Sequence, residues 1–292
     1  MGHVAVAKPT SGRLDAVGRT SLLTAAMRAI ESRRSDRLFE DPYAHRLCGQ
    51  VGPCLLEELR AATLPAGQPR RMPDVLDVNA VRTRFFDDRL RADVHEGTQV
   101  VLPASGMDCR AYRTEWPRGV RWYEIDRPAV VAHKQARLAD VRPCVDRRAV
   151  GADLTGPNWE RRLVAAGYEP QVPSVWLLEG LLCYLREGEV NDLLDRIRRV
   201  TAPGSVLLAD CVGAAAFTVP HASGQLNMFA RWGCPWHFGT DEPEVLFSGH
   251  GMRATSVQPG EAPADYPRWS HAVPPRSAGG VRRIFLIRAV RG

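Results

Sequence analysis

Lysine is almost missing from this chain: Lys8 and Lys134 are the only lysines among 39 lysines and arginines. The formal charge is +6, but the arginines are scattered among 33 acids, with no basic tail and no basic block interleaved with aromatics. That patterning excludes an electrostatic footprint for nucleic acid, and so strong a preference for arginine reads as genomic composition. The chain also lacks C-x-x-C and H-E-x-x-H, and its eight histidines are dispersed, so no metal site is expected. No apolar run is long enough to span a bilayer. The most apolar stretch, 175–185, is interrupted by Glu179. The seven cysteines are odd in number and several sit in apolar runs. With no signal-peptide pattern, they lead to the expectation of reduced thiols in a soluble, cytoplasmic protein without membrane partners. A complete G-x-G-x-x-G and a Tyr-x-x-x-Lys are missing too, which disfavours a dehydrogenase.

What is present falls into three parts. Residues 1–19 show no hydrophobic period and are expected to be loose. From Thr20 the pattern is helical, with Leu22, Leu23, Ala26, Met27 and Ile30 at three- and four-residue spacing. Phe39, Tyr43 and Leu47 continue it, and after a Pro/Gly-bearing stretch at 64–73 a second stripe runs through Val81, Phe85, Phe86 and Leu90. Residues 20–95 therefore read as a helical lid over something else. From 96 to 292 strands and helices alternate. Strands are expected at 98–104, 120–125, 148–152, 174–178 and 205–210, and helices at 128–139, 158–166 and 187–200. This predicts a largely parallel α/β sheet. Two last strands, 253–257 and 281–290, would close it as a hairpin around a proline-rich loop, and 212–250 reads as an insertion lining a substrate.

The first strand runs into Ala104-Ser105-Gly106, and twenty residues after Gly106 the second strand ends in Asp126. A small-residue turn at the carboxyl end of a first strand lets backbone approach a ligand, and an acid at that spacing suits ribose hydroxyls. One glycine is too few to cradle a pyrophosphate, so the turn favours S-adenosylmethionine over a dinucleotide. A plain turn, with Asp126 capping the next helix, remains the alternative.

Five ordered segments sharpen this: 20–46, Val81-Arg-Thr-Arg-Phe-Phe-Asp-Asp88, 101–112, Tyr123-Glu-Ile-Asp-Arg-Pro128 and Leu178-Glu-Gly-Leu-Leu-Cys-Tyr-Leu185. Together they resemble the leucine carboxyl methyltransferase (protein phosphatase methyltransferase) family, in its bacterial branch of small-molecule O-methyltransferases of polyketide type. The resemblance covers roughly residues 20–210. It implies a class I methyltransferase fold, a Rossmann-like, mostly parallel seven-stranded sheet, with S-adenosylmethionine as cofactor and S-adenosylhomocysteine as product. It also implies roles. Ala104, Ser105 and Gly106 would turn around the methionine part, and Asp126 would hold the ribose. Asp153 and Leu154 would flank the adenine. Arg82 and Arg84 would meet the methionine carboxylate, Glu179 would lie near the methionine moiety, and Tyr184 near the transferred methyl. Many family members have Gly-x-Gly where this chain has Ala104-Ser105-Gly106.

Bland readings compete. Asp153 could cap a helix, Arg82 and Arg84 could be surface ion pairs with Asp87 and Asp88, and Tyr184 could be core. Glu179, set in an apolar strand, needs a ligand or a charged partner. An oxygen acceptor is expected on a small molecule, a carboxylate or a hydroxyl, within secondary metabolism. A hydroxyl would want a general base, and the candidates are His133, His221, His237 and His271. His237 stands out, in the aromatic segment 229–238, where Arg231 could hold an acidic substrate. A protein carboxyl methyltransferase and a non-catalytic S-adenosylmethionine binder remain open alternatives, and the oligomeric state is left undetermined.

Overall fold

The computed structural model describes residues 14–63, 73–219 and 222–292. Most of the stretch expected to be loose, and most of the proline- and glycine-bearing link at 64–73, lie outside the described residues. Among the described residues no helix is long and apolar enough to cross a membrane.

Seven strands form one sheet in the order β3-β2-β1-β4-β5-β7-β6. They are β1 Gln99–Pro103, β2 Arg121–Asp126, β3 Asp146–Gly151, β4 Ser174–Leu178, β5 Val206–Val212, β6 Met252–Val257 and β7 Ile284–Arg291. The first five run parallel and β7 lies antiparallel between β5 and β6, as the closing hairpin was expected to. Strands β1, β4 and β5 are buried at every position, because helices cover both faces of a parallel sheet. This burial explains their largely apolar composition, Asp210 in β5 being the charged exception.

One face is packed around Trp159, Trp176 and Tyr168, whose rings meet edge to face. Against it lies α8 (Glu187–Val200), burying Val190, Leu193, Leu194 and Ile197, with the Glu189 carboxylate accepting from the Arg186 amide at its start. The other face carries α1 (Ala16–Ser32), α2 (Ala44–Cys48) and α4 (Val75–Asp93), together with α6 (Pro128–Arg137), while α3 (Val51–Thr63) packs outside them, against Leu23 and Met27 of α1. Helix α1 begins four residues before the apolar period does, since the Asp15 carboxylate caps it by accepting from the Gly18 amide at 2.7 Å. Reversal of the strand order occurs between β1 and β4, so the crevice lies at their carboxyl ends, beneath the helical layer.

The layer is held close by Gly52 on α3. A Cβ there would stand 2.5 Å from the Leu22 carbonyl oxygen and 2.7 Å from the Cys48 Cβ. Gly52→Ala must therefore push α1 and α3 apart. We expect it to lower unfolding free energy by about 1–3 kcal/mol, read as a fall in the urea midpoint. An unchanged midpoint would contradict so tight a crossing.

Candidate functional site

The turn after β1 is sharp. Ala104 takes a φ of 53° and Gly106 a φ of 48°, the left-handed region that side-chain-bearing residues avoid. A Cβ on Gly106 would sit 2.9 Å from the Ser21 Cβ on α1, so the turn has room for backbone alone. The Asp126 carboxylate, at the end of β2, accepts from the Gly106 amide at 2.7 Å and from the Arg127 amide at 2.7 Å. Burial still outweighs these bonds and raises its pKa above the usual carboxylate value. The turn and the acid, twenty residues apart in sequence, are thus one hydrogen-bonded unit.

At the end of β4 the Glu179 carboxylate finds the charged partners its apolar surroundings demand. Arg82 of α4 reaches one oxygen at 3.2 Å and Arg110 of α5 (Arg110–Arg113) the other at 2.8 Å. Arg82 also pairs with Asp210, two residues before the end of β5, 3.3 Å away, while Asp210 accepts from the Gly180 amide at 2.6 Å. Arg110, whose side chain is 3% exposed, also holds Asp87 at 2.6 Å and Asp108, and Arg113 shares Asp87 at 2.8 Å. Four carboxylates thus share three guanidinium groups in a nearly dry cluster. Burial raises the Asp210 carboxyl despite Arg82. Burial works the same way on Asp108, but Arg110, Lys134 and Arg28 outweigh it and bring that group to about 2. Arg110 and Asp210 escaped the sequence reading. Arg110 follows the turn, at a place no hydrophobic period marks, and its residue type alone stands out little in an arginine-rich chain.

Apart from Asp87, the members of this cluster open, with the turn and Asp126, on one cavity of about 890 Å³. Of the sequence candidates, Arg82, Ala104, Ser105, Gly106, Asp126, Asp153, Leu154, Glu179 and Tyr184 line it. Asp153 is exposed at the rim, its carboxylate accepting from the Thr155 amide and hydroxyl rather than capping the next helix. Tyr184 sits in the short 3-10 turn Leu182–Tyr184, and its ring meets Phe229 and Trp236 edge-on. Burial drives its phenol well above the ordinary value, opposed by the nearby Thr20 and Trp236 side chains.

Two candidates need correction. Arg84 does not line the cavity: residues two apart on a helix face different ways, and its guanidinium turns to Asp88 at 2.9 Å and to the Leu38 carbonyl. His237 is exposed and outside the cavity, because its amide donates to the Cys183 carbonyl at 2.7 Å while its neighbours Trp236 and Phe238 take the inward positions. Arg231 is exposed as well and does not line the cavity. His133 lies on α6 outside the cavity, His221 lies outside the described residues, and His271 lines the cavity edge-on to Trp269.

With this geometry in view, a family model described as leucine carboxyl methyltransferase matches residues 21–198. This chain belongs to that family. A protein of Parafrankia sp. (strain EAN1pec), provisionally named an S-adenosyl-L-methionine-dependent methyltransferase, is 39% identical over 252 residues, covering 82% of this chain and 78% of the relative. A Mycobacterium ulcerans (strain Agy99) protein with the same provisional name is 43% identical over 207 residues, 67% of this chain and 64% of its own length. A structure from Thermobifida fusca YX, provisionally named a methyltransferase, superposes with a TM-score of 0.56 at 17% identity, covering 99% of this chain and 97% of that one. A DUF574 family structure from Streptomyces avermitilis MA-4680 gives 0.56 at 14% identity, covering 94% and 100%. These two share the class I methyltransferase fold. The protein is an S-adenosylmethionine-dependent methyltransferase of that fold.

The cluster has a testable cost. Arg110→Met leaves Asp87, Asp108 and Glu179 short of a buried partner and should lower stability by about 3–5 kcal/mol at neutral pH. A carboxyl held low, as Asp108 is, stabilises the fold above its unfolded pKa and loses that contribution as pH falls toward about 2. Denaturation of both proteins at neutral pH and at about pH 3 should therefore show the deficit narrowing in acid. A constant deficit would contradict the charge assignment.

Proposed function

We propose that this enzyme transfers the methyl group to an oxygen of a small molecule, a carboxylate or a hydroxyl. The observation that carries the reading is the size and lining of the cavity. At about 890 Å³ it lies near the top of the range of small-molecule sites, about 300–1,000 Å³. One end is ionic and holds the turn; the other is walled by Tyr184, Phe229 and Trp236. That leaves room for a nucleoside-sized cofactor and a modest acceptor side by side, within walls closed by α1 and α4.

The residues present fit the cofactor. The left-handed turn at Ala104 and Gly106 lines the cavity, with the Gly106 amide held by Asp126, as a small-residue turn around a ligand requires. In this proposal Asp126 takes the ribose hydroxyls, Asp153 and Leu154 flank the adenine, and the ionic cluster meets the amino-acid end. Arg82 suits the carboxylate there, and the cluster's excess of carboxylates suits the ammonium group. When bound, the cofactor supplies a methyl carbon that bonds to the acceptor oxygen as the carbon–sulfur bond breaks, its electron pair staying on sulfur, and a hydroxyl acceptor also gives up its proton. The protein's part is to align the two and keep water out, which accounts for much of the rate of such displacements. His271 is the histidine among the described residues that lines the cavity, and for a hydroxyl acceptor it is the candidate to take that proton.

The reading is tested by incubating the enzyme with S-adenosylmethionine and a panel of small acids, phenols and carboxyl-terminal peptides, and locating the methyl group by mass spectrometry. Methyl esters or ethers of small molecules support it; products methylated at carbon or nitrogen, or at peptide termini alone, overturn it. For the ribose assignment, Asp126→Ala should weaken cofactor binding at least about tenfold, the loss of one charged hydrogen bond. Unchanged affinity in a folded variant would remove Asp126 from that role.

A further inference from the structure

Glu179 has two guanidinium groups about it, Arg82 at 3.2 Å and Arg110 at 2.8 Å. Asp210 has one among the described residues, Arg82 at 3.3 Å, and shares it with Glu179. Its other oxygen accepts from the Gly180 amide at 2.6 Å, a bond that fixes the turn after β4 but brings no charge. Asp87 is met by Arg110 and Arg113, and Asp108 by Arg110, with Arg28 and Lys134 close enough to act on it. The cluster's surplus negative charge therefore falls at Asp210. Burial raises that carboxyl above the ordinary value, Arg82 offsets it in part, and Glu179 adds to the rise. A carboxylate 8% exposed and short of a cation is costly, unless a cation reaches it from the cavity that it lines.

The sheet order sets Asp126 on β2, the Gly106 turn after β1, Glu179 after β4 and Asp210 on β5, along one edge. Neighbouring strands stand about 4.8 Å apart, so Asp210 lies one strand beyond Glu179, on the side away from Asp126. Strand β5 also packs on the 3-10 turn Leu182–Tyr184. Burial and, after it, the Asp210 charge raise the thiol of Cys183 in that turn. Asp210 thus stands where the ionic end of the cavity gives way to the aromatic one, and a methyl bound for an acceptor has to point across that boundary. At neutral pH the ammonium and carboxylate of the cofactor's amino-acid end cancel. S-adenosylmethionine therefore carries one net positive charge, on sulfur, and S-adenosylhomocysteine carries none. Resting on the placement of the amino-acid end at Arg82 and Glu179, we propose that Asp210 is the counter-charge of the sulfonium and makes the enzyme select S-adenosylmethionine over its product. Once the methyl has left, the sulfur is neutral and the carboxylate no longer holds it, which favours exchange of product for fresh cofactor. Arg82, bound to the same carboxylate, moderates an attraction that the displacement has to undo.

The test compares S-adenosylmethionine, S-adenosylhomocysteine and sinefungin, which carries a charged amine in place of the methylsulfonium. Each is titrated calorimetrically into the full-length enzyme with no acceptor present. The proposal expects the natural enzyme to bind both cations at least about tenfold tighter than S-adenosylhomocysteine, a modest share of one charge pair in a partly dry site. Asp210→Asn should bring the three affinities within about threefold by weakening the cations alone, while Asp210→Glu keeps the preference. Unchanged S-adenosylhomocysteine affinity in Asp210→Asn also shows that the variant folds. A role limited to fixing the Gly180 turn and Arg82 would weaken all three ligands by the same factor. That result overturns the proposal and leaves the cofactor placement standing. A natural enzyme that binds S-adenosylhomocysteine as tightly as either cation overturns it too, whether or not the variants fold. Binding of 5′-methylthioadenosine as tight as that of S-adenosylhomocysteine would instead remove the placement on which the proposal rests, and the proposal with it.

Discussion

Glu179 closes a strand of apolar residues with a carboxylate held between Arg82 and Arg110, and the layers of this protein are tied together through that grip. An acid at the end of β4 is tolerable only if cations come to it. They come from α4 and from the turn region after β1, and Arg110 carries the connection back to Asp87 on α4. The helical layer and the carboxyl edge of the sheet are therefore joined by charge as well as by packing. Helix α4 shows the consequence: it buries Asn79, Thr83 and Asp87 beside Phe85, Phe86 and Leu90, so polar and apolar residues share its inner surface.

The same grip divides the cavity. Beside it lie the turn at Gly106 and the Asp126 acid, an ionic region shaped for a charged amino-acid end and a ribose. Beyond Tyr184 the lining turns aromatic and aliphatic, with Arg282 at its far side. A sulfonium loses its charge in the displacement, and an apolar wall next to the reacting atoms does nothing to hold that charge back. The division between the two ends suits one enzyme to a fixed cofactor and a replaceable acceptor.

Much of the sheet was legible in the sequence because fully buried parallel strands write themselves as short apolar runs between turn signals: 174–178 is an observed strand to the residue, and the antiparallel β6–β7 closure followed from the tail's change of rhythm. Helix starts were less legible. Asp15 caps α1 through Gly18, but no apolar repeat surrounds it to reveal the role. Helix α3 went unnamed because Gly52 and Pro53 obscure its first turn. At the site, residues next to a strand end (Gly106, Asp126, Glu179) could be placed, since strand topology puts them at the crevice. Arg84 and His237 could not. The first needed the helix's rotation, the second the loop's hydrogen bond to Cys183. Arg110 was hidden for a third reason: its meaning comes from a neighbour distant in the chain, Glu179.

The most direct measurement compares S-adenosylhomocysteine with 5′-methylthioadenosine, which keeps the nucleoside and thioether but has no amino-acid end, by calorimetry on the natural enzyme. If the Arg82–Glu179–Arg110 cluster is built to take that end, S-adenosylhomocysteine should bind at least about a hundredfold tighter, a difference of about 2.7 kcal/mol. Equal affinities would mean that the cluster holds the fold together and has no part in holding the cofactor.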